Sequence, residues 1–276
     1  AVADGSGQLW LLTKLGGLRA KPAMTDAVVA VAAAPGAFYA STARGSILKV
    51  DLASGKVVAR YQLGLSQGPS GLAWDAARNL LWMTHRAAGA VQAIRPDGSS
   101  AVTITAAGAA ELRNPYDVAV DATTGTVWVT QDANVDGAMV HAFQGDGAFV
   151  RSIVTSAQVF RPGGLAVDAG KVYVSDAFAG RVQVLNEQGA SMGSIGSFGS
   201  EPGKLRQPAG MTFLQNGDLL VANLDAGRLD RFGVGTAMVG CAGDTDCDGL
   251  TDAQEVAAGL DLNDASDALA DADADG

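Results

Sequence analysis

The sequence predicts an all-β fold made of repeated four-stranded units, and three observations carry the prediction. One strand motif recurs five times in the first 235 residues, as GAFYAST, NLLWMTH, GTVWVTQ, GKVYVSD and GDLLVAN. Its anchors, Tyr39, Trp82, Trp128, Tyr173 and Leu220, lie 43, 46, 45 and 47 residues apart. Apolar and polar residues alternate around each anchor with the period of two that a sheet requires. The 36 glycines and few aromatics suit short strands joined by tight turns. Four short antiparallel strands in about 45 residues make one blade of a β-propeller.

The elements of each unit follow in order. A Pro-containing turn opens the first strand in GPSGLAWD, NPYDVAVD, RPGGLAVD and QPAGMTFL. The anchor strand comes second. A glycine turn and a third strand follow in RGSILKVD, AGAVQAIR, DGAMVHAF, AGRVQVLN and AGRLDRFG. A fourth strand reads KVVARYQLG, SAVTITAAG and AFVRSIVTS, while the last unit has three strands before VGTAMVG. The N-terminal GQLWLLTKL aligns with the fourth-strand position. It is therefore expected to complete the last blade and close a five-bladed ring, leaving no exposed edge. Six blades would need more strand from the two ends. The expected organisation is a propeller over 1–238 and a small loop-helix tail over 239–276.

Two units, FRPGGLAVDAGKVYVSDAFAGRVQVLNEQGASMGSIGSFG and GSFGSEPGKLRQPAGMTFLQNGDLLVANLDAGRLDRFG, resemble the NHL repeat. The resemblance rests on the Pro-x-Gly-(Leu/Met) start, the Gly-x-(Val/Leu)-Tyr-Val-x-(Asp/Asn) strand and the Gly-Arg-(Val/Leu) return. It is close in these two copies, looser in the first three, and covers roughly residues 7–235. It implies a propeller, usually of six blades, but no single function, because such propellers serve as enzymes, binding modules and scaffolds.

Charge is unevenly placed. The net charge is −10, yet from Cys241 to Gly276 there are eleven acidic residues and no Lys or Arg, which leaves the first 240 residues at +1. No basic stripe suggests a nucleic-acid partner, and no apolar run reaches the ~18 residues of a transmembrane segment. The opening AVADGSGQ lacks the charged start and apolar stretch of a signal peptide and is compatible with a processed N-terminus. Cys241 and Cys247, six apart, suggest a disulfide formed in an oxidising compartment; two unrelated thiols are the other reading. A zinc site would need further soft or nitrogen ligands, and the tail has no His.

Stacking the units exposes three polar columns. Thr42, His85, Gln131, Asp176 and Asn223 end the anchor strands; Asp75, Asp121 and Asp168 end the first strands; Arg113, Arg161 and Arg206 precede the Pro turns. Such residues commonly satisfy turn backbone groups, and the Arg column is placed to pair with the acids between blades. The functional reading is a pocket at one propeller mouth, with ligand contacts from His85, Gln131, Asp176 and Asn223. Resemblance to metal-dependent propeller lyases or hydrolases would imply converging His or carboxylate ligands there, and His85 and His141 occupy different strand positions. No nucleophile elbow or phosphate loop is present, so no catalytic residue is assigned. The loop DANVDG, 132–137, could offer a weak cation contact or be a plain turn.

The tail carries the strongest site motif. In CAGDTDCDGLTDAQE, Asp244, Asp246 and Asp248 alternate, Gly249 follows, Asp252 comes three later and Glu255 closes the run. This is the Asp-x-Asp-x-Asp-Gly-x5-Glu calcium loop. Calcium takes six to eight oxygens at about 2.4 Å. Alternate side chains of a curling loop turn inward, Leu250 can offer its carbonyl, and Glu255 can reach back from a helix beginning near Thr251. The whole tail, 241–276, resembles bacterial thrombospondin type 3 repeats. By that likeness Asn263, Asp264, Asp267, Asp271, Asp273 and Asp275 would bind further calcium ions, although the second loop, DADADG, stops at its glycine. A Cys241–Cys247 bridge would preset the first loop's curl.

These readings converge on a secreted, extracellular or cell-surface calcium-binding propeller, with the periplasm a further location. It would bind a protein or glycan, or self-assemble through its tail. The alternative is a cation-dependent lyase or hydrolase acting at the propeller mouth.

Overall fold

A computed structural model describes residues 2–234, apart from 4–5, 13–17, 23, 25, 65–66, 132–138, 156–158 and 215–216. The tail with both cysteines and every predicted calcium ligand, and the loop 132–137, lie outside the described residues.

Every described element is a strand. A small N-terminal sheet contains β1 (Val2–Ala3), β2 (Leu9–Leu12) and β3 (Leu18–Ala20). Blade 1 is β4 (Val28–Ala34), β5 (Ala37–Thr42), β6 (Ser46–Asp51) and β7 (Val57–Gln62). Blade 2 is β8 (Leu72–Asp75), β9 (Leu80–His85), β10 (Ala90–Ile94) and β11 (Ser100–Ile104). The hairpin β12 (Ala106–Ala107) and β13 (Ala110–Glu111) leads to blade 3: β14 (Pro115–Val120), β15 (Val127–Gln131), β16 (Met139–Phe143) and β17 (Phe149–Val154). Blade 4 is β18 (Pro162–Asp168), β19 (Lys171–Asp176), β20 (Arg181–Asn186) and β21 (Ser191–Ile195). A parallel pair, β22 (Ser197–Phe198) and β23 (Lys204–Leu205), leads to blade 5: β24 (Pro208–Phe213), β25 (Leu219–Asn223) and β26 (Arg228–Phe232). Each blade is an antiparallel meander with its strands in sequence order. The chain is thus a five-bladed propeller, as the repeat spacing predicts.

The anchor strands are continuous apolar runs because both of their faces are covered. All six residues of β5 and of β9 are buried, whereas the outermost strands β7 and β17 are mostly exposed. Successive side chains of an anchor strand point to opposite blade faces. Tyr39 and Ile47 of blade 1 meet Leu72, Leu81 and Met83 of blade 2, and the Tyr39 ring stacks on Trp74 at 5.5 Å. Trp82 packs against Val118, Val127 and Phe143 of blade 3. Trp128 meets Leu165 and Val172 of blade 4, and Tyr173 meets Leu219 and Val221 of blade 5. Each fully buried aromatic contributes about 2–3 kcal/mol of apolar burial.

A hydroxyl clasp joins neighbouring blades near the start of the innermost strands of blades 1, 2 and 4. In blades 3 and 4 the strand bulges there, at the Pro turn, which frees an N–H from the sheet ladder, and blade 1 has a register shift at Val28/Ala30. In blades 1 to 4 the freed N–H of Ala30, Gly71, Asp117 or Gly164 donates to the hydroxyl of Ser41, Thr84, Thr130 or Ser175. The same hydroxyls donate onward to the next blade: Ser41 to the Pro69 carbonyl, Thr84 to Tyr116 and Ser175 to Ala209. Blade 5 has Ala222 at the hydroxyl position.

The N-terminal strand corrects one expectation. β2 does not complete blade 5; it pairs with β1 and β3 in a sheet of its own. Leu9, fully buried, packs on Val28, Phe38, Ala40, Leu48 and Val50, the face of blade 1 that looks away from blade 2. Docking an apolar strand face to face buries more surface than adding it to the edge of β26, where its side chains would alternate into solvent. The far face of blade 5, with Leu220, Ala222 and Leu229, borders the central cavity instead.

Candidate functional site

The polar residues that end the anchor strands stand at one mouth of the ring, and the structure commits each of them to its own blade. Asp176 is fully buried and accepts four backbone N–H groups: Phe160 and Arg161 from the incoming loop, Phe178 and Ala179 from the outgoing turn. Gln131 accepts the Arg113 N–H. Asn223 accepts the Arg206 N–H and donates to the Lys204 carbonyl and the Asp230 carboxylate. Thr42 accepts the Ser46 N–H. The Nε2 of His85 lies 3.2 Å from the Gln92 amide oxygen, and burial holds the imidazole below its ordinary pKa. These side chains do not converge on the channel axis. Among the described residues no three His, Cys, Asp or Glu side chains form a metal-sized group.

The Asp and Arg columns do not pair. Arg161 precedes β18 and Asp168 ends it, so the columns stand at opposite faces of the ring. Asp75 instead accepts the Arg78 N–H and forms an ion pair with its guanidinium at 3.0 Å, and Asp121 caps the turn at Thr123 and Thr124. His141 lies on β16, away from His85, with its Nδ1 2.8 Å from the Ser152 hydroxyl.

Two features of the mouth are absent from the polar columns. The first is a cleft of ≈ 140 Å³ whose lining includes Arg86, Tyr116, Arg161, Pro162 and Leu224. The Arg86 guanidinium lies 4.9 Å from the centre of the Tyr116 ring. Beside the cleft, Phe160 (58% exposed) and Phe178 (73% exposed) meet edge to face at 6.2 Å, and Phe198 and Leu224 are exposed on the same side. Nothing in the blade pattern requires these aromatics, since both lie in the turns that Asp176 caps.

The second is Asp117, on the wall of a central cavity of ≈ 590 Å³ lined mainly by small apolar residues of the innermost strands. It occupies the column held by Gly71, Gly164 and Gly210 in the other Pro-turn blades. Its two carboxylate oxygens accept the Val118 N–H and, across the blade boundary, the Leu165 N–H, both at 2.9 Å. Burial pushes its pKa up to about 7, against the lowering effect of those two bonds. The signal was visible as an exception: NPYDVAVD breaks the Pro-x-Gly pattern of the other copies.

Against known proteins, no family model and no curated sequence matches the chain. Solved structures do match. A chain of the nidogen/laminin complex is 18% identical with a TM-score of 0.64, covering 83% of this chain and 91% of that one. Virginiamycin B lyase from Staphylococcus aureus, in selenomethionine form, is 12% identical with a TM-score of 0.60, covering 84% of this chain and 79% of that one. A streptogramin B lyase is 13% identical with a TM-score of 0.56, covering 78% and 71%. At these identities the likeness establishes the propeller fold alone.

Proposed function

We propose that the chain is an interaction module that presents the arginine- and phenylalanine-lined mouth to a protein partner, outside the cell or on its surface. The observation that carries this reading is the exposed Phe160–Phe178 pair beside the Arg86–Arg161 cleft. Aromatic and arginine side chains grouped around a small cleft are the usual composition of interface hot spots. Exposed aromatics cost solubility unless something uses them. The nidogen/laminin likeness shows that a propeller of this build occurs in a protein–protein complex. The acidic tail adds calcium binding through Asp244, Asp246, Asp248 and Glu255, as an NHL-like propeller with a thrombospondin type 3-like tail would. No helix among the described residues is long and apolar enough to cross a membrane.

The lyase or hydrolase reading is weaker at this mouth, because Asp176, Gln131 and Asn223 are spent on backbone groups. The test is to pan a random peptide library and a glycan array against the whole chain, alongside the Phe178→Ser and Arg161→Glu variants. Enriched peptides that lose binding in both variants support the reading. Binders indifferent to both variants, or glycan binding alone, would sink it.

A further inference from the structure

We propose that the central cavity binds a small apolar amine, whose ammonium group pairs with Asp117 and whose hydrocarbon body lies along the innermost strands. This site is separate from the interaction role of the mouth and does not depend on it.

Three observations lead there. The first is the cavity itself. Its ≈ 590 Å³ falls within the range of about 300–1,000 Å³ of pockets that hold small molecules. The innermost strands of all five blades, β4, β8, β14, β18 and β24, contribute to its wall. The larger side chains on that wall include Val31, Leu72, Trp74, Leu165, Met211 and Phe213. Such a lining favours a ligand with a hydrocarbon body.

The second is charge. Among the described residues, Asp117 is the one acidic side chain lining the cavity, and no Lys, Arg or His lines it. Its oxygens accept the Val118 and Leu165 N–H groups, and neither bond brings a positive charge. Those bonds lower its pKa, yet burial outweighs them and raises it to about 7. The ionised carboxyl is therefore a charge without a counter-charge, and an ammonium ion in the cavity supplies one. A neutral or anionic ligand supplies none.

The third is placement. The same column holds Ala30, Gly71, Gly164 and Gly210 in the other blades, the smallest residues available. One carboxyl group thus stands on a wall that is otherwise bare at its level, with room beside it. Asp117 is only partly buried and lines the cavity. The cavity and the mouth cleft share Tyr116, Ala209 and Leu224, so the site adjoins the mouth.

The test is titration calorimetry of the full chain at pH 8, where Asp117 is mostly ionised, in salt that screens exposed carboxylates. Three probes share one apolar chain: n-hexylamine, hexan-1-ol and n-hexanoate. The expected result is a single site that takes hexylamine about 10-fold more tightly than the alcohol, and hexanoate most weakly. Excess hexan-1-ol should displace hexylamine, because both bodies occupy one cavity. Asp117→Asn should bind amine and alcohol equally. The displacement on the parent chain needs no variant, so it decides the question even if Asp117→Asn does not fold. Equal binding of amine and alcohol by the parent overturns the proposal, as does no binding of any probe. Hexylamine that the alcohol cannot displace, or that Asp117→Asn still prefers, also overturns it, because the ammonium group is then held by carboxylates elsewhere.

Discussion

Asp176 is fully buried and Asp117 partly so, and their surroundings give the two carboxylates different work. Asp176 receives four N–H groups from two loops, so it holds the mouth turns in place. Asp176→Ala leaves those donors without an acceptor and should cost about 3–5 kcal/mol in chemical denaturation, whereas Asp176→Asn, which keeps one oxygen, should cost less. Asp117 has only two such bonds beside an apolar channel, and its pKa of about 7 makes the protonated acid the favoured folded form below that pH. Its folded pKa is raised above the unfolded value, so its contribution falls as pH rises from about 4 to 7 and is flat above. His141 acts in the opposite sense. Burial lowers its pKa to about 4, so the unfolded chain takes up a proton first and stability falls as pH drops from 6.5 towards 4. The two slopes offset each other over most of that window. Asp117→Asn removes one of them, so the variant should gain stability with pH between 4 and 6.5 more steeply than the parent. A parallel pair of pH–stability curves would refute the assignment.

At the scale of the blade, the glycine column reports whether a neighbouring blade is present. A Cβ at Gly71 would strike Asp117 of blade 3, and one at Gly164 would strike the Ala209 carbonyl of blade 5. A Cβ at Gly210 would meet nothing within 4 Å among the described residues. Gly71→Ala and Gly164→Ala should each destabilise by about 2 kcal/mol or more, and Gly210→Ala should be close to neutral by thermal denaturation. Equal losses at all three would mean that the ring is closed at blade 5. Thr84→Val tests the clasp itself: losing the acceptor for Gly71 N–H and the donor to Tyr116 should cost about 1–3 kcal/mol.

Much of this element was legible, since period-two alternation and the Pro-x-Gly turn are local signals. Tyr39, Trp82, Trp128 and Tyr173 are buried on anchor strands as the repeat implies. The partner of the N-terminal strand was not legible, because edge addition and face packing demand the same apolar residues in β2. The mouth aromatics were not legible either: Phe160 and Phe178 sit in turns, where sequence pattern gives no direction.

For the whole molecule, charge is divided between a nearly neutral propeller and a tail that holds the entire net negative charge. Eleven acids within 36 residues, with no Lys or Arg among them, repel one another and favour a bound cation. Calcium is the candidate favoured by the Asp244–Asp246–Asp248–Glu255 spacing. A calcium loop of an extracellular module binds at about 10⁻⁴–10⁻³ M. Calorimetric titration of the full chain should therefore show binding in that range, abolished by Asp246→Ala with Glu255→Ala. Light scattering during the titration then separates two molecular roles. Growth in particle size as calcium saturates makes the tail a linker between copies. Constant size makes it a calcium site within a single chain. Heat flow identical to buffer at millimolar calcium would remove calcium from both roles.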